Sequence, residues 1–250
     1  MKKYRKKYKA KKKMYRKRVF KVNQMEKRMQ SHIGMLLEKY PKLASVQQSI
    51  KDAYAVMAEC YRKDGKLLVA GNGGSSADAE HIVAELMKKF RMKRPVTAAY
   101  ADRLKETDAV IGARLAENLE RGLMAIPLTA CGALATAYMN DVDGTDVFAQ
   151  QLFGYGRKGD VFLGISTSGS STNIISAAVA AKAGGMKVIG LTGADGGWLA
   201  EAADVAVKVP ETETYLIQEL HLPVYHCWCM MLEETFFGMP DYQENGYGKI

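Results

Sequence analysis

The sequence predicts an α/β fold in three layers: a five-stranded parallel β-sheet between two layers of helices, with further helices at the N-terminal end. Two observations predict it. Short uninterrupted apolar runs recur at Lys66–Ala70, Val161–Ile165 and Val188–Leu191. Helix-compatible segments separate them, and the first two runs end in Gly/Ser-rich turns. Runs that are apolar throughout, rather than alternating, suit strands covered on both faces. Strands alternating with helices pair in parallel through right-handed crossovers. Met124–Leu128 and Val205–Val209 complete the expected five.

The 250 residues divide into four expected segments. Residues 1–21 hold thirteen Lys/Arg and no acidic residue. The whole chain has 36 basic and 27 acidic residues and a net charge of +9; without the tail, 23 basic face 27 acidic. The basic character therefore belongs to the tail alone. Such a tail suits an anionic partner, and Tyr4, Tyr8 and Tyr15 interleaved with its cations suit nucleic acid; a solvated, partly helical extension explains it equally well. No apolar core follows the charges, as a signal peptide would require, and the tail has no Ser, unlike a transit peptide. No run of about 18 apolar residues exists, so no membrane span is expected.

Residues 22–65 form an expected helical segment that serves oligomerisation. Met25, Met29, Ile33, Leu36 and Leu37 share one face of a helix over 22–40, which Pro41 breaks. Val46, Ile50, Ala53, Met57 and Cys60 share a face of a second helix over 43–63, and Asp64-Gly65 marks a turn. The main domain spans 66–237 and closes with a helix over 215–237; 238–250 read as a loose end. Of the four cysteines, Cys227 and Cys229 form C-x-C with no second pair nearby, and Cys60 and Cys131 stand alone. This is neither zinc-finger spacing nor a disulfide framework. Reduced thiols point to the cytoplasm.

The two turns carry the functional signal. Gly71-Asn72-Gly73-Gly74-Ser75-Ser76 and Ser166-Thr167-Ser168-Gly169-Ser170-Ser171 each sit between a strand and a helix. Glycines let the backbone approach an anion; hydroxyls and a helix N-terminus supply hydrogen bonds and positive potential. Neither turn has the Lys of a nucleotide-binding P-loop, and the first does not match G-x-G-x-x-G. Ordinary capped turns would also produce one such loop, but two after separate strands indicate a phosphate site. Further along, His81 and Glu85 are four residues apart on the helix after the first loop and share a face. A His and a carboxylate so placed suit zinc, or a base with an orienting partner.

With Asn140-Asp141, Gly164-Ile165, Gln218-Glu219-x-His221 and His226 added to these pieces, residues 66–235 resemble the sugar isomerase (SIS) domain family and, within it, the phosphoheptose isomerases. The resemblance implies a flavodoxin-like α/β/α sandwich that isomerises sedoheptulose 7-phosphate to D-glycero-D-manno-heptose 7-phosphate. It also implies a zinc ion and a homotetramer with sites at subunit interfaces. It places Gly71, Asn72, Gly73, Ser75, Asn140, Asp141, Ser166, Thr167, Ser168, Ser171 and Gln218 on the substrate, and His81, Glu85, Gln218 and His226 on the metal. Asn140-Asp141 by itself reads as a turn.

Moving a proton between C1 and C2 of an open-chain sugar needs a base and a group that stabilises the ene-diol oxygen. Glu85 is the expected base and His226 its partner acid/base. Eight helical residues separate Gln218 from His226, about 12 Å, too far for one ion. Either the helix begins or bends at Pro223, or the two residues serve different places or subunits. Two features depart from the family pattern: the basic tail, and a long 95–124 segment. Within it Thr107–Gly122 suits a lid or interface helix, with Val110, Ile111, Leu115, Leu119 and Leu123 near one face. An alternative function is a non-catalytic phosphosugar-binding regulator resembling a replication-initiation regulator, which the tail would suit.

Overall fold

A computed structural model describes residues 27–238; the basic tail, residues 22–26 of the first expected helix and residues 239–250 lie outside it. Helix α1 covers 27–39. It ends at residue 39 and Tyr40 leaves helical geometry, so the helix breaks at Pro41 as expected; Pro41 then opens a 3-10 segment, Pro41–Val46, that runs directly into α2, Gln47–Arg62. Proline suits that first position because its missing N–H would have had no partner there. Asp64 then turns with φ 58°, and β1 follows at Leu67–Gly71.

Strands β2 (Ala125–Pro127), β3 (Val161–Ile165), β4 (Lys187–Thr192) and β5 (Val205–Lys208) join β1 in one parallel sheet of order β2-β1-β3-β4-β5. Leu67 stands opposite Ala125 on one side and Val161 on the other. Every residue of β1 and β3 is buried, which is why both read as uninterrupted apolar runs.

Successive strand residues feed opposite cores. Val69, Leu163 and Leu191 join a cluster with Ile33 of α1, Ile50 of α2, Ile82 of α3 (Gly74–Met87) and Val224 of α10 (Thr214–Phe237). Leu68, Phe162 and Val188 join Leu152 of α7 (Val147–Tyr155), Ile174 of α8 (Thr172–Ala183) and Leu199 of α9 (Gly197–Ala202). This is the expected three-layer sandwich. Trp228 anchors α10 within the first core: it is 2% exposed and its Nε1 donates to the Ile50 carbonyl at 2.9 Å. Truncating such a ring to alanine costs about 3–5 kcal/mol.

The 95–124 segment departs from the single helix expected over 107–122. It forms a hairpin of α4 (Ala98–Thr107) and α5 (Ile111–Asn118). Asp108 makes the break: its backbone is extended and its carboxylate accepts from the N–H groups of Val110 and Ile111, starting a new helix. Gly112 lies directly against the Leu104 carbonyl, an approach that a side chain would block. No residue of α4 and only Gly112 of α5 is buried. The start of the apolar stripe therefore faces outward, with Val110 80% and Ile111 51% exposed, while Leu123 at its end is buried in the first core.

Candidate active site

The strand order reverses between β1 and β3: the chain leaves β1 for β2 on one side and builds β3, β4 and β5 on the other. The carboxyl ends of two such strands splay their loops apart and open the crevice where ligands of parallel sheets bind. Both sequence-predicted loops stand at that crevice. Gly73 has φ +54°, and a side chain at Gly71 would collide with the Ser75 backbone, so the first loop needs both glycines. Ser75 is buried beneath it. In the second loop, Ser166 is buried and its Oγ lies 3.0 Å from Ser171 Oγ, while Ser168 and Ser170 are exposed. Gly169, with φ +66°, packs against the backbone of Gly196 and Gly197.

Sequence reasoning missed how these loops are joined. The amides of Asn72 and Asn173 exchange two hydrogen bonds, each 2.9 Å, across the crevice. A third strand-end loop supports the second: Gly193 donates to the Thr167 carbonyl and Leu199 to the Gly169 carbonyl, both at 2.9 Å. The glycines of that loop repeat the strand–glycine–helix texture and were the available signal. The result is a cradle of hydroxyls and backbone N–H groups with the first turns of α3 and α8 behind it.

A second cluster lies on the seam between α3 and α10. His81 Nδ1 is 3.0 Å from the Tyr225 hydroxyl, and that hydroxyl donates to Asp78 Oδ1 at 3.1 Å. On the other side of the ring, His81 Nε2 is 3.4 Å from Glu85 Oε1. The His226 ring stands edge-on to His81, centroids 5.0 Å apart, and against Phe90. Burial, and then His81, lower the His226 pKa, with Glu85 opposing, and His226 Nε2 is buried without a hydrogen-bond partner. Burial raises the pKa of Asp78, with Tyr225 and His81 opposing. Burial and the Asp78 carboxylate raise that of Tyr225, so the phenol keeps its proton. Glu85 is 13% exposed and His81 40%, so the seam is open to a ligand.

The far end of the seam is clamped. Glu233, 1% exposed, accepts from the backbone N–H groups of Phe90 and Arg91 at 2.9 and 2.8 Å and from Arg94 Nε at 2.8 Å. Arg94, fully buried, donates onward to the carbonyls of Leu86 and Glu85. The charge pair thus closes the last turn of α3 around Glu85.

The other expected residues are placed apart. Helix α10 is continuous across Pro223, so it does not begin there. Gln218 accordingly sits some 12 Å up the axis from His226, against the start of α3: a Cβ on Gly74 would lie 2.5 Å from its Nε2. Gln218 belongs with the first loop, and His226 with His81. Asn140 and Asp141 end α6 (Gly132–Asp141) rather than forming a turn; both are exposed, and the Asn140 amide donates to Asp141 at 2.8 Å. Among the described residues no group of three His, Cys, Asp or Glu is gathered into a metal site.

Comparison with known proteins matches the SIS domain profile to residues 35–122 and 113–193. A phosphoheptose isomerase of Halorhodospira halophila is 38% identical over 205 residues, 81% of this chain and 90% of that protein. One from a Roseiflexus species is 41% identical over 181 residues, covering 72% of this chain and 79% of the relative. The chain belongs to the phosphoheptose isomerase branch of the SIS domain family. Solved phosphoheptose isomerase structures from Neisseria gonorrhoeae and Francisella tularensis superpose with TM-scores of 0.63 and 0.65 at 33% and 30% identity, covering 84% and 86% of this chain and 98% of each. The SIS profile takes in both loops, His81 and Glu85; α10, with Gln218 and His226, lies beyond it. The matched span thus includes both loops of the cradle and one wall of the seam, and the seam is completed by a helix outside that span.

Proposed function

We propose that this protein is an aldose–ketose isomerase that converts sedoheptulose 7-phosphate to D-glycero-D-manno-heptose 7-phosphate through an ene-diol. The observation that carries the reading is the spacing along α3. The cradle closes on its first turn, and His81 lies seven residues on, about 10 Å along the axis. A heptulose 7-phosphate has its reacting carbons, C1 and C2, at the opposite end from its phosphate. A site that separates an anion cradle from an acid–base cluster by one molecule's length suits it.

Ser166, Thr167, Ser168 and Ser171 with Gly71, Asn72, Gly73 and Ser75 would hold the phosphate and adjoining hydroxyls, and Gln218, beside Gly74, a hydroxyl further along. Asn140 and Asp141 would reach the sugar from α6. Glu85 takes the proton from the carbon acid, and His226, kept neutral by its burial, exchanges a proton with the substrate oxygen. A regulator without catalysis would leave this seam without a task.

The seam suits zinc in its donor set: two imidazole nitrogens and a carboxylate. His226 Nε2 is a buried nitrogen lacking a partner, as a waiting ligand would be. His81, His226 and Glu85 would hold the ion, a role that competes with the acid–base work of His226 and Glu85 for the same lone pairs, with Gln218 a ligand only if the two helices or a second subunit bring it closer. Bound there, zinc would supply a Lewis acid for the carbonyl oxygen. Exposed Val110, Ile111, Phe153 and Trp198 are apolar surface that a homotetramer would cover. Among the described residues no helix is long and apolar enough to cross a membrane.

The test is conversion of sedoheptulose 7-phosphate by the purified protein, with metal content measured on the same sample and mass by light scattering. Heptose 7-phosphate formation supports the reading. Absence of turnover with and without added zinc overturns it.

A further inference from the structure

The three groups Asp78, Tyr225 and His81 are joined by two hydrogen bonds that share one hydroxyl. Tyr225 has a single proton, and it points to Asp78 Oδ1 at 3.1 Å. The 3.0 Å contact between Tyr225 and His81 Nδ1 therefore needs its proton from the imidazole. Nδ1 is the protonated nitrogen of His81, and Nε2 is left bare. That bare nitrogen faces Glu85 Oε1 at 3.4 Å. Two acceptors facing each other repel unless a positive charge joins them, either a second imidazole proton or a bound cation.

We propose that Tyr225, backed by Asp78, is a positioning residue that fixes the tautomer and ring angle of His81 so that Nε2 is presented to the ligand between α3 and α10. The Tyr225 ring supports the same orientation by packing edge-on to both His81 and His226, at 5.5 and 5.1 Å between centroids. An outer partner that holds one imidazole nitrogen decides which nitrogen is free and how basic it is. Nothing in the helical spacing of His81 and Glu85 supplies that choice, because both nitrogens of a solvated ring are available. Asp78 sits one turn before His81 on α3, and Tyr225 comes from the facing helix, so the relay also ties the two walls of the seam together.

This rests on His81 being a working residue of the site, yet its first test needs neither turnover nor metal. The chain has four histidines, so each ring can be assigned in long-range proton–nitrogen correlation spectra of metal-free protein. The expected result is His81 protonated on Nδ1 in the wild type. Tyr225→Phe keeps the ring contacts but removes the hydroxyl, and should return His81 to a mixture or to the Nε2-protonated form. Asp78→Ala should do the same through the freed hydroxyl. Zinc affinity, measured by competition with a chromophoric chelator, should fall at least about tenfold in Tyr225→Phe. A neutral His81 protonated on Nε2 alone in the wild type overturns the proposal even if the protein is an active isomerase. So does an unchanged tautomer in a folded Tyr225→Phe protein. Conversely, the expected spectra in a protein that does not isomerise heptulose phosphate would leave the relay standing and remove only the function assigned to it.

Discussion

His221 makes folding depend on pH in a way that can be worked out in advance. It is fully buried on α10, and both ring nitrogens lack a well-formed hydrogen bond. Burial lowers its pKa from 6.5 to about 4, and the nearby Thr192 backbone opposes this without cancelling it. The folded state therefore holds the ring neutral, whereas the unfolded chain protonates it as the pH falls through 6.5. Stability is full above that value and is lost downward until the folded ring titrates near 4. Between pH 7.5 and pH 5 the unfolded chain gains most of a proton that the folded one refuses. At about 1.4 kcal/mol per unit, the loss is about 2 kcal/mol. His221→Leu, similar in size and uncharged, should remove that part of the slope. The assay is reversible urea unfolding at both pH values and one fixed protein concentration, since assembly would add its own dependence. Equal losses in the wild type and the variant would refute the reasoning, because the slope would then come from other groups, such as His32 and His226, which burial also shifts down.

Glu85→Gln and His226→Gln should each lower kcat by about 10²–10⁴-fold, the usual worth of a positioned acid or base, with thermal unfolding little changed; a steady-state assay on sedoheptulose 7-phosphate reads this directly. Gly74→Ala should push the Gln218 amide aside, because the new Cβ would lie 2.5 Å from Nε2. If Gln218 touches substrate, KM rises while kcat and stability stay close to wild type, and an unchanged KM removes Gln218 from the site. Glu233→Gln places an amide donor among the N–H groups of Phe90, Arg91 and Arg94 and strips the buried guanidinium of its countercharge. The expected loss is about 3–5 kcal/mol in denaturant unfolding.

The sheet was legible because β1, β3 and β4 are buried on both faces, and that burial writes itself into sequence as unbroken apolar runs. The loops were legible for a related reason: positive φ at Gly73 and Gly169 and the close approach at Gly71 restrict those positions to glycine. The α4–α5 hairpin was not. Val110, Ile111, Leu115 and Leu119 recur as a packed helix face would, yet periodicity does not say whether a partner surface exists, and Val110 lies outward. Nor did the pattern show that Asp108 would cap a new helix instead of continuing one. In the site, His81 and Glu85 could be paired by spacing because they share a helix. Tyr225, Asn173 and Arg94 could not, since each works by touching a residue at least eight positions away whose placement only the packed structure decides.

Helices α3 and α10 run alongside each other in one direction, and their contacts occur in the same sequence along both. Gln218 meets Gly74, Tyr225 meets Asp78 and His81, and Glu233 meets Phe90, Arg91 and Arg94. Both helices carry residues of the proposed site, so the distance from the proposed anion cradle to the proposed acid–base cluster is written twice, once between Gly74 and His81 and once between Gln218 and His226. The two intervals, seven and eight residues, agree because the helices share a rise of about 1.5 Å per residue. A shift of one helix along the other would move Gln218 and His226 together and break the Glu233 clamp at the same time. The buried Arg94–Glu233 pair, 0% and 1% exposed, therefore does more than hold a loop. Replacing it with apolar groups could leave the fold as stable, as buried pairs often allow, but such groups would lack the directional bonds that fix which turn of α3 faces which turn of α10. The polar pair is explained by register, and register is what gives the site its length.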